Sequence, residues 1–322
     1  MTQSLAVRLR WQTSVWLVVI AGVASAAEPF LEVAPGQVRP GDALVIDLRT
    51  KDPCPVAWLG DRPLFFQRQR GRCRAVVGVP VEQPPGELPI RIGSNAASAF
   101  FATPRVPAVP GSEQSADART IPYAPLWPPV AREAPIAGAV EVLPAAFPER
   151  ELTVAPQFIE PPPAVQRRLK EDRRAFAAAF AQKFLAPKFQ KNFAWPRESG
   201  VTARFGDKRT FNGTQQSQHY GIDLDGTVGA PIHAANDGVV VMVRDNYAAG
   251  KTVVIHHGLD LYTTYFHLSR FEVRRGQRVK RGQRIGCVGR TGRVTGPHLH
   301  WGVRIGDLYV DPASLLRLDL ER

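Results

Sequence analysis

No histidine occurs before residue 219 and none after residue 300, so all seven lie within about a quarter of the 322-residue chain. That concentration points to a metal or acid–base site there and leaves the preceding two-thirds without one. The helix motif His-Glu-x-x-His is absent, which excludes a thermolysin-like site. Acidic residues are few: 29 Asp and Glu stand against 41 Lys and Arg, for a net charge of +12. This balance fits either a polyanionic partner or a solvated basic surface. Nucleic acid has charge alone in its favour, since no recognition motif is present, and no nucleic-acid partner is expected. After residue 23 no apolar run approaches the roughly 20 residues of a spanning helix, so no stable membrane insertion of the mature chain is expected. Cysteine is scarce too, with only Cys54, Cys73 and Cys287. In an oxidising compartment Cys54 and Cys73 are close enough in sequence to form a disulfide worth about 3 kcal/mol; two buried thiols are the other reading. Cys287, within Ile285-Gly286-Cys287-Val288, reads as a core residue.

The N-terminus has the parts of a signal peptide over residues 1–26. Arg8 and Arg10 supply charge, an apolar run extends from Val15 to Val23, and Ala24-Ser25-Ala26 supplies an A-x-A cleavage site. The 29 prolines and 27 glycines favour β-rich domains joined by extended segments. Residues 28–103 alternate short apolar runs with turns such as Pro35-Gly36, Pro40-Gly41 and Pro85-Gly86. Runs at 43–48, 75–79 and 88–92 read as strands of a small β-sandwich. Residues 104–195 read as a proline-rich linker and helical connector. Val165, Leu169, Phe176, Phe180 and Phe184 recur at helical spacing and predict a helix over about 163–185, packed on a neighbouring domain. Residues 196–322 carry strand-like runs at 238–243, 252–256, 261–266, 285–288 and 299–303, separated by glycines. The expected fold is mainly β: an N-terminal sandwich, a helical connector and a C-terminal antiparallel β domain.

Within that last domain three patterns carry chemistry. His219-x-x-x-Asp223 pairs two good zinc ligands. Along a strand they would stand about 13 Å apart, so the chain must bend near Gly221 or His219 must precede the strand. In His298-Leu299-His300 the two rings share one strand face, about 6–7 Å apart. His267 ends the apolar run Tyr265-Phe266.

Together these residues resemble the lysostaphin/LytM-like zinc metalloendopeptidase family, over about 201–316. The resemblance includes Ala203-Arg204-Phe205-Gly206, His219-x-x-x-Asp223, Tyr265-x-His267-Leu268 and Gly292-Arg293-Val294-Thr295-Gly296-Pro297-His298-Leu299-His300. The resemblance implies that His219, Asp223 and His300 bind one Zn2+ and that His267 and His298 form the catalytic pair beside it. Three protein ligands leave a fourth zinc position open, consistent with activation of water. His298 is assigned the acid–base role and His267 transition-state stabilisation, roles that sequence leaves interchangeable. His257 is expected to be structural or to lie just outside the ligands, His256 to face solvent, and His233 to be structural. The implied substrate is peptidoglycan, and the implied compartment is the periplasm. The basic residues between Arg270 and Arg284 either attract the anionic wall or form a solvated hairpin edge.

Two other functions are available. A LytM-type domain can act without catalysis as an activator of cell-wall amidases, in which case the chain would bind no zinc or cut nothing. A biotinyl/lipoyl-like carrier domain would need a modified lysine, with Lys251 the candidate, and leaves the histidines unused. The long connector also raises the hypothesis that the N-terminal region folds back and restrains the site.

Overall fold

A computed structural model describes residues 16–19 by backbone alone and residues 30–93, 134–181 and 186–321 in full. Arg8, Arg10, the Ala24–Ala26 site, Phe184 and residues 104–133 lie outside the described residues.

The N-terminal strands turn apolar side chains inward and close two five-stranded sheets on each other, while Ala43, Val45 and Val76 on the outer face join the core of the C-terminal domain. One sheet is built around Ala43–Arg49 and Arg72–Gly78, paired antiparallel with Ile46 opposite Ala75. The other is built around Gly86–Ile92 and Ala57–Leu59. Leu31, Leu44, Ile46, Ile90, Val140 and Val142 fill the space between them. A disulfide joins Cys54 to Cys73, with Cα atoms 5.5 Å apart.

The stretch read from sequence as linker contributes two strands. Ile136–Val142 joins the second sandwich sheet, antiparallel to Gly86–Ile92 and parallel to Gln37–Val38. Its inward residues, Ala137, Val140 and Val142, are small, so the alternation is faint among prolines and alanines. Glu149–Leu152 pairs in parallel with Lys208–Phe211 of the next domain. It is largely exposed, and no hydrophobic period marks it. The helix runs over Gln166–Phe180, shorter than its periodic pattern, after a 3-10 turn at Pro163–Val165. Ala175, Phe176, Ala179 and Phe180 pack on Val241, Met242, Val254 and Tyr262, so the helix is a packed connector.

The C-terminal domain is a ten-stranded antiparallel sheet whose central strands are Ile222–Asp225, His298–Ile305, Leu261–Phe271, Gly250–His256 and Gly238–Asn246. Trp301, Tyr265, Ile255 and Leu299 are fully buried in its core. Cys287 is buried there as a free thiol, as its apolar neighbours predict. The sandwich docks on this domain through the C-terminal helix Pro312–Arg317 and the segment after it. The Asp311 amide donates to the Gly41 carbonyl at 2.7 Å, and the Ala43 amide to Ser314 Oγ at 2.8 Å. Arg74, fully buried, donates twice to Asp47 and once to the Leu320 carbonyl. Burying that arginine is tolerable because its charge is paired and its fork is bonded.

Candidate metal centre

Sheet register creates most of the centre. Ile222–Asp225 lies antiparallel to His298–Ile305 with Asp223 opposite His300, and Phe266 of Leu261–Phe271 lies opposite His300 on its other side. Directly opposed residues bring their Cβ atoms within about 5 Å, so two ligands 77 residues apart meet without any bend. His219 needs one. It falls between Gln215–Gln218 and Ile222–Asp225, off both strands, and the chain turns at Gly221. A Cβ at Gly221 would lie 2.6 Å from the His300 ring, so a side chain there would push the ligand away.

The donor atoms form a near-equilateral triangle. His219 Nε2, His300 Nδ1 and Asp223 Oδ1 are each 2.9 Å from the other two. The other ring nitrogen of His219, Nδ1, sits 2.7 Å from the Arg204 carbonyl. A carbonyl only accepts, so Nδ1 carries the proton and Nε2 presents its lone pair in the neutral ring. Acceptors therefore converge from separate elements, an arrangement that calls for a cation. One zinc ion about 2.0–2.2 Å from each donor fits two imidazoles and a carboxylate, and leaves a fourth position open.

The electrostatics suit that charge. Burial pushes the Asp223 carboxyl up, but the His219 and His300 rings that meet it outweigh burial and hold it well below the usual range. Its second oxygen, Oδ2, accepts from Arg209 Nη2 at 2.8 Å, which fixes the carboxylate plane. Burial lowers His300 to about 4 against the pull of Asp223, so the ring is neutral at pH 7 and free to ligate.

His267 and His298 complete the group. Their rings lie 5.0 Å apart, and His298 Nε2 is 3.8 Å from Asp223 Oδ1. Each donates Nδ1–H to a carbonyl, His267 to Thr291 at 2.8 Å and His298 to Gly296 at 2.9 Å. Each Nε2 is thereby left as the basic atom. Burial, then the neighbouring His298 and His300, hold His267 well below its ordinary value. His267 also takes φ = 64°, a left-handed backbone costing about 1–3 kcal/mol in a non-glycine residue, and its amide is tied to the Ala249 carbonyl at 3.0 Å.

All five predicted site residues are therefore gathered in one place. The remaining histidines are elsewhere. His257 is fully buried, bonded to the Asp237 carbonyl at 2.7 Å and to Thr263 Oγ1 at 2.8 Å. His256, expected to face solvent, is also fully buried, its ring stacked on Tyr262 at 4.2 Å. The strand is covered on both faces, the second by the helix Gln166–Phe180, so alternation does not bring His256 to water. Half-buried His233 takes no part in the cluster. Sequence reasoning missed Arg209, whose hairpin position 14 residues before Asp223 carries no motif, and the carbonyls of Arg204 and Thr291, since any residue supplies a carbonyl.

Comparison with known proteins agrees with this geometry. Residues 217–312 match Peptidase family M23. The chain is 47% identical over 102 residues to the peptidoglycan DD-endopeptidase ShyA of Vibrio cholerae, covering 31% of this chain and 24% of that protein. It is 42% identical over 97 residues to the DD-carboxypeptidase/endopeptidase Mpg of Neisseria meningitidis, covering 30% of this chain and 22% of that one. The chain thus spans about a quarter of the length of these relatives. A Pseudomonas aeruginosa crystal structure assigned to peptidase M23 aligns with 86% of this chain and 94% of its own, at a TM-score of 0.56 and 25% identity.

Proposed function

From the premise that residues 217–312 belong to peptidase family M23, we propose that the chain is an exported zinc-dependent endopeptidase that hydrolyses peptide cross-links of peptidoglycan. The observation that carries the proposal is the convergence of three metal-binding atoms, each 2.9 Å from the others, with two further histidines turned to the same place. Zinc held there would supply Lewis acidity, lowering the pKa of the attacking water and polarising the scissile carbonyl.

The chain's own groups supply the rest. His298 Nε2 is the base that takes the proton of the attacking water and returns it to the leaving amine, because its Nδ1 is already committed to Gly296. His267, anchored to Thr291 through Nδ1–H, turns Nε2 toward the scissile carbonyl, and a proton taken up on that nitrogen during the reaction would let it donate to the developing charge. Asp223 stays ionised, and Arg209 keeps it oriented. Among the described residues no helix is long and apolar enough to cross a membrane. The periplasm is the proposed compartment, on the strength of the leader pattern in residues 1–26 and of the relatives' cell-wall substrates.

The test is incubation of the zinc-loaded chain with purified peptidoglycan and mass spectrometry of the released fragments, beside His300→Ala. The wild type should release cleaved cross-link peptides and the variant none. An intact wall in both would leave restraint by the N-terminal region or the amidase-activator reading, and an intact wall with a truncated chain as well would sink the endopeptidase reading. Restraint by the N-terminal region is proposed separately, and a chain beginning near residue 145 tests it better than one beginning near 195, since it keeps the strand Glu149–Leu152. Cleavage no faster than by the full chain would end that idea.

A further inference from the structure

Two arginines stand beside the metal centre without enough negative charge around them. Arg209, its side chain 14% exposed, spends Nη2 on Asp223 Oδ2, yet its buried Nε has no hydrogen-bond partner. Arg293 is half-buried on the loop between Arg284–Val288 and His298–Ile305. That same loop supplies the carbonyls of Thr291 and Gly296 that orient His267 and His298. Among the described residues Arg293 pairs with no carboxylate. Its guanidinium lies 4.4 Å over the Phe211 ring and reaches the neutral Gln215 Oε1 at 3.4 Å. Burial and the charge of Arg209 both lower its pKa, so the two cations feel each other.

Partly buried like charges are costly unless something negative joins them. The Lys208–Phe211/Gln215–Gln218 hairpin nevertheless holds them together: Phe211 and Gln215 pair in register and both support Arg293, while Arg209 lies on the same strand. A guanidinium fork matches a carboxylate.

We propose that Arg209 and Arg293 form a carboxylate-binding subsite beside the metal centre, which grips a free carboxylate of the peptide substrate. The inference deepens the peptidase reading and rests on it for the identity of the substrate. Arg293 is the principal contact, since Arg209 is already shared with Asp223. A stem peptide offers two sources, the terminal carboxylate of a D-alanine and the carboxylate of the cross-linking diamino acid. Either would place the scissile bond by a charge-assisted contact, which is worth about 10- to 100-fold in binding.

The test is calorimetry on the zinc-loaded full chain carrying His298→Ala, so that nothing turns over. The probes are acetyl-D-alanyl-D-alanine and a diamino-acid stem peptide, each compared with the form in which the relevant carboxylate is amidated. Expected is a 10- to 100-fold preference for one acid over its amide, which collapses toward unity in Arg293→Gln and is partly restored in Arg293→Lys. The pair that shows the preference identifies the source. No preference in either pair overturns the proposal. So does a preference that survives Arg293→Gln, since the carboxylate would then sit on the metal. An Arg293-dependent preference in a chain that leaves peptidoglycan intact both at full length and when begun near residue 145 would refute the endopeptidase reading and leave the subsite standing.

Discussion

The C-terminal sheet holds buried histidines in two regions, and they differ in where their nitrogens point. His257, at the end of Gly250–His256, has both ring nitrogens bonded within the protein, to Asp237 and Thr263, and His256 beside it stacks on Tyr262. At the metal centre His219, His267 and His298 each bond one nitrogen to a carbonyl and keep the other for the site. Both regions are buried, and in both burial lowers histidine pKa values. Burial therefore does not mark function. A half-satisfied ring turned toward others like it does, because an unused lone pair in the interior is costly unless a ligand takes it.

The sharpest way to test this contrast is to separate binding from proton transfer. His300→Ala removes a donor and should abolish stoichiometric zinc binding along with activity, whereas His298→Ala should retain zinc and lose about 100- to 10,000-fold in kcat. Metal analysis beside peptidoglycan digestion reads both. Equal zinc loss in the two variants would show that the assigned division between ligands and catalytic pair is wrong.

A smaller effect is expected at Gly221. Gly221→Ala removes no ligand, but its methyl group meets the His300 ring. Zinc affinity should fall by about 10- to 100-fold, the usual cost of disturbing a ligand's support, and a chelator competition measures it. Unchanged affinity would mean that the strand can shift without disturbing the triangle.

The smallest effect lies at the other end of the sheet. Burial puts His256 at about 3 and His257 at about 4, both below the ordinary value of 6.5. Between pH 6.5 and about 4 the unfolded chain takes up protons that the folded chain refuses, so stability falls as pH drops; above that window neither residue contributes. His257→Gln should flatten the pH dependence of zinc-free unfolding by at most about 1.4 kcal/mol per pH unit, measured by denaturant titration. Identical slopes in wild type and variant would show that His257 does not titrate as its burial implies.

The fold was legible where patterns were strong. Apolar runs bounded by turns at Ala43–Arg49 and Leu261–Phe271 marked strands, and apolar residues at helical spacing marked Gln166–Phe180, although its ends were blurred. Ile136–Val142 and Glu149–Leu152 were not legible as strands, because their partners lie about 50 to 100 residues away and small or exposed side chains leave no period to read. His256 was misjudged because strand alternation says which residues share a face but not whether that face is covered.

By itself the sequence determined which side chains are the candidates for chemistry: histidines confined to one domain, with His219, Asp223, His267, His298 and His300 in ordered motifs. Tertiary structure alone decided how those side chains meet and which atoms they turn toward one another. The register that sets Asp223 against His300, the turn at Gly221 that admits His219, and the hairpin that brings Arg209 and Arg293 to the site are long-range pairings. A residue's type is local information, whereas the direction of its lone pair depends on partners far along the chain.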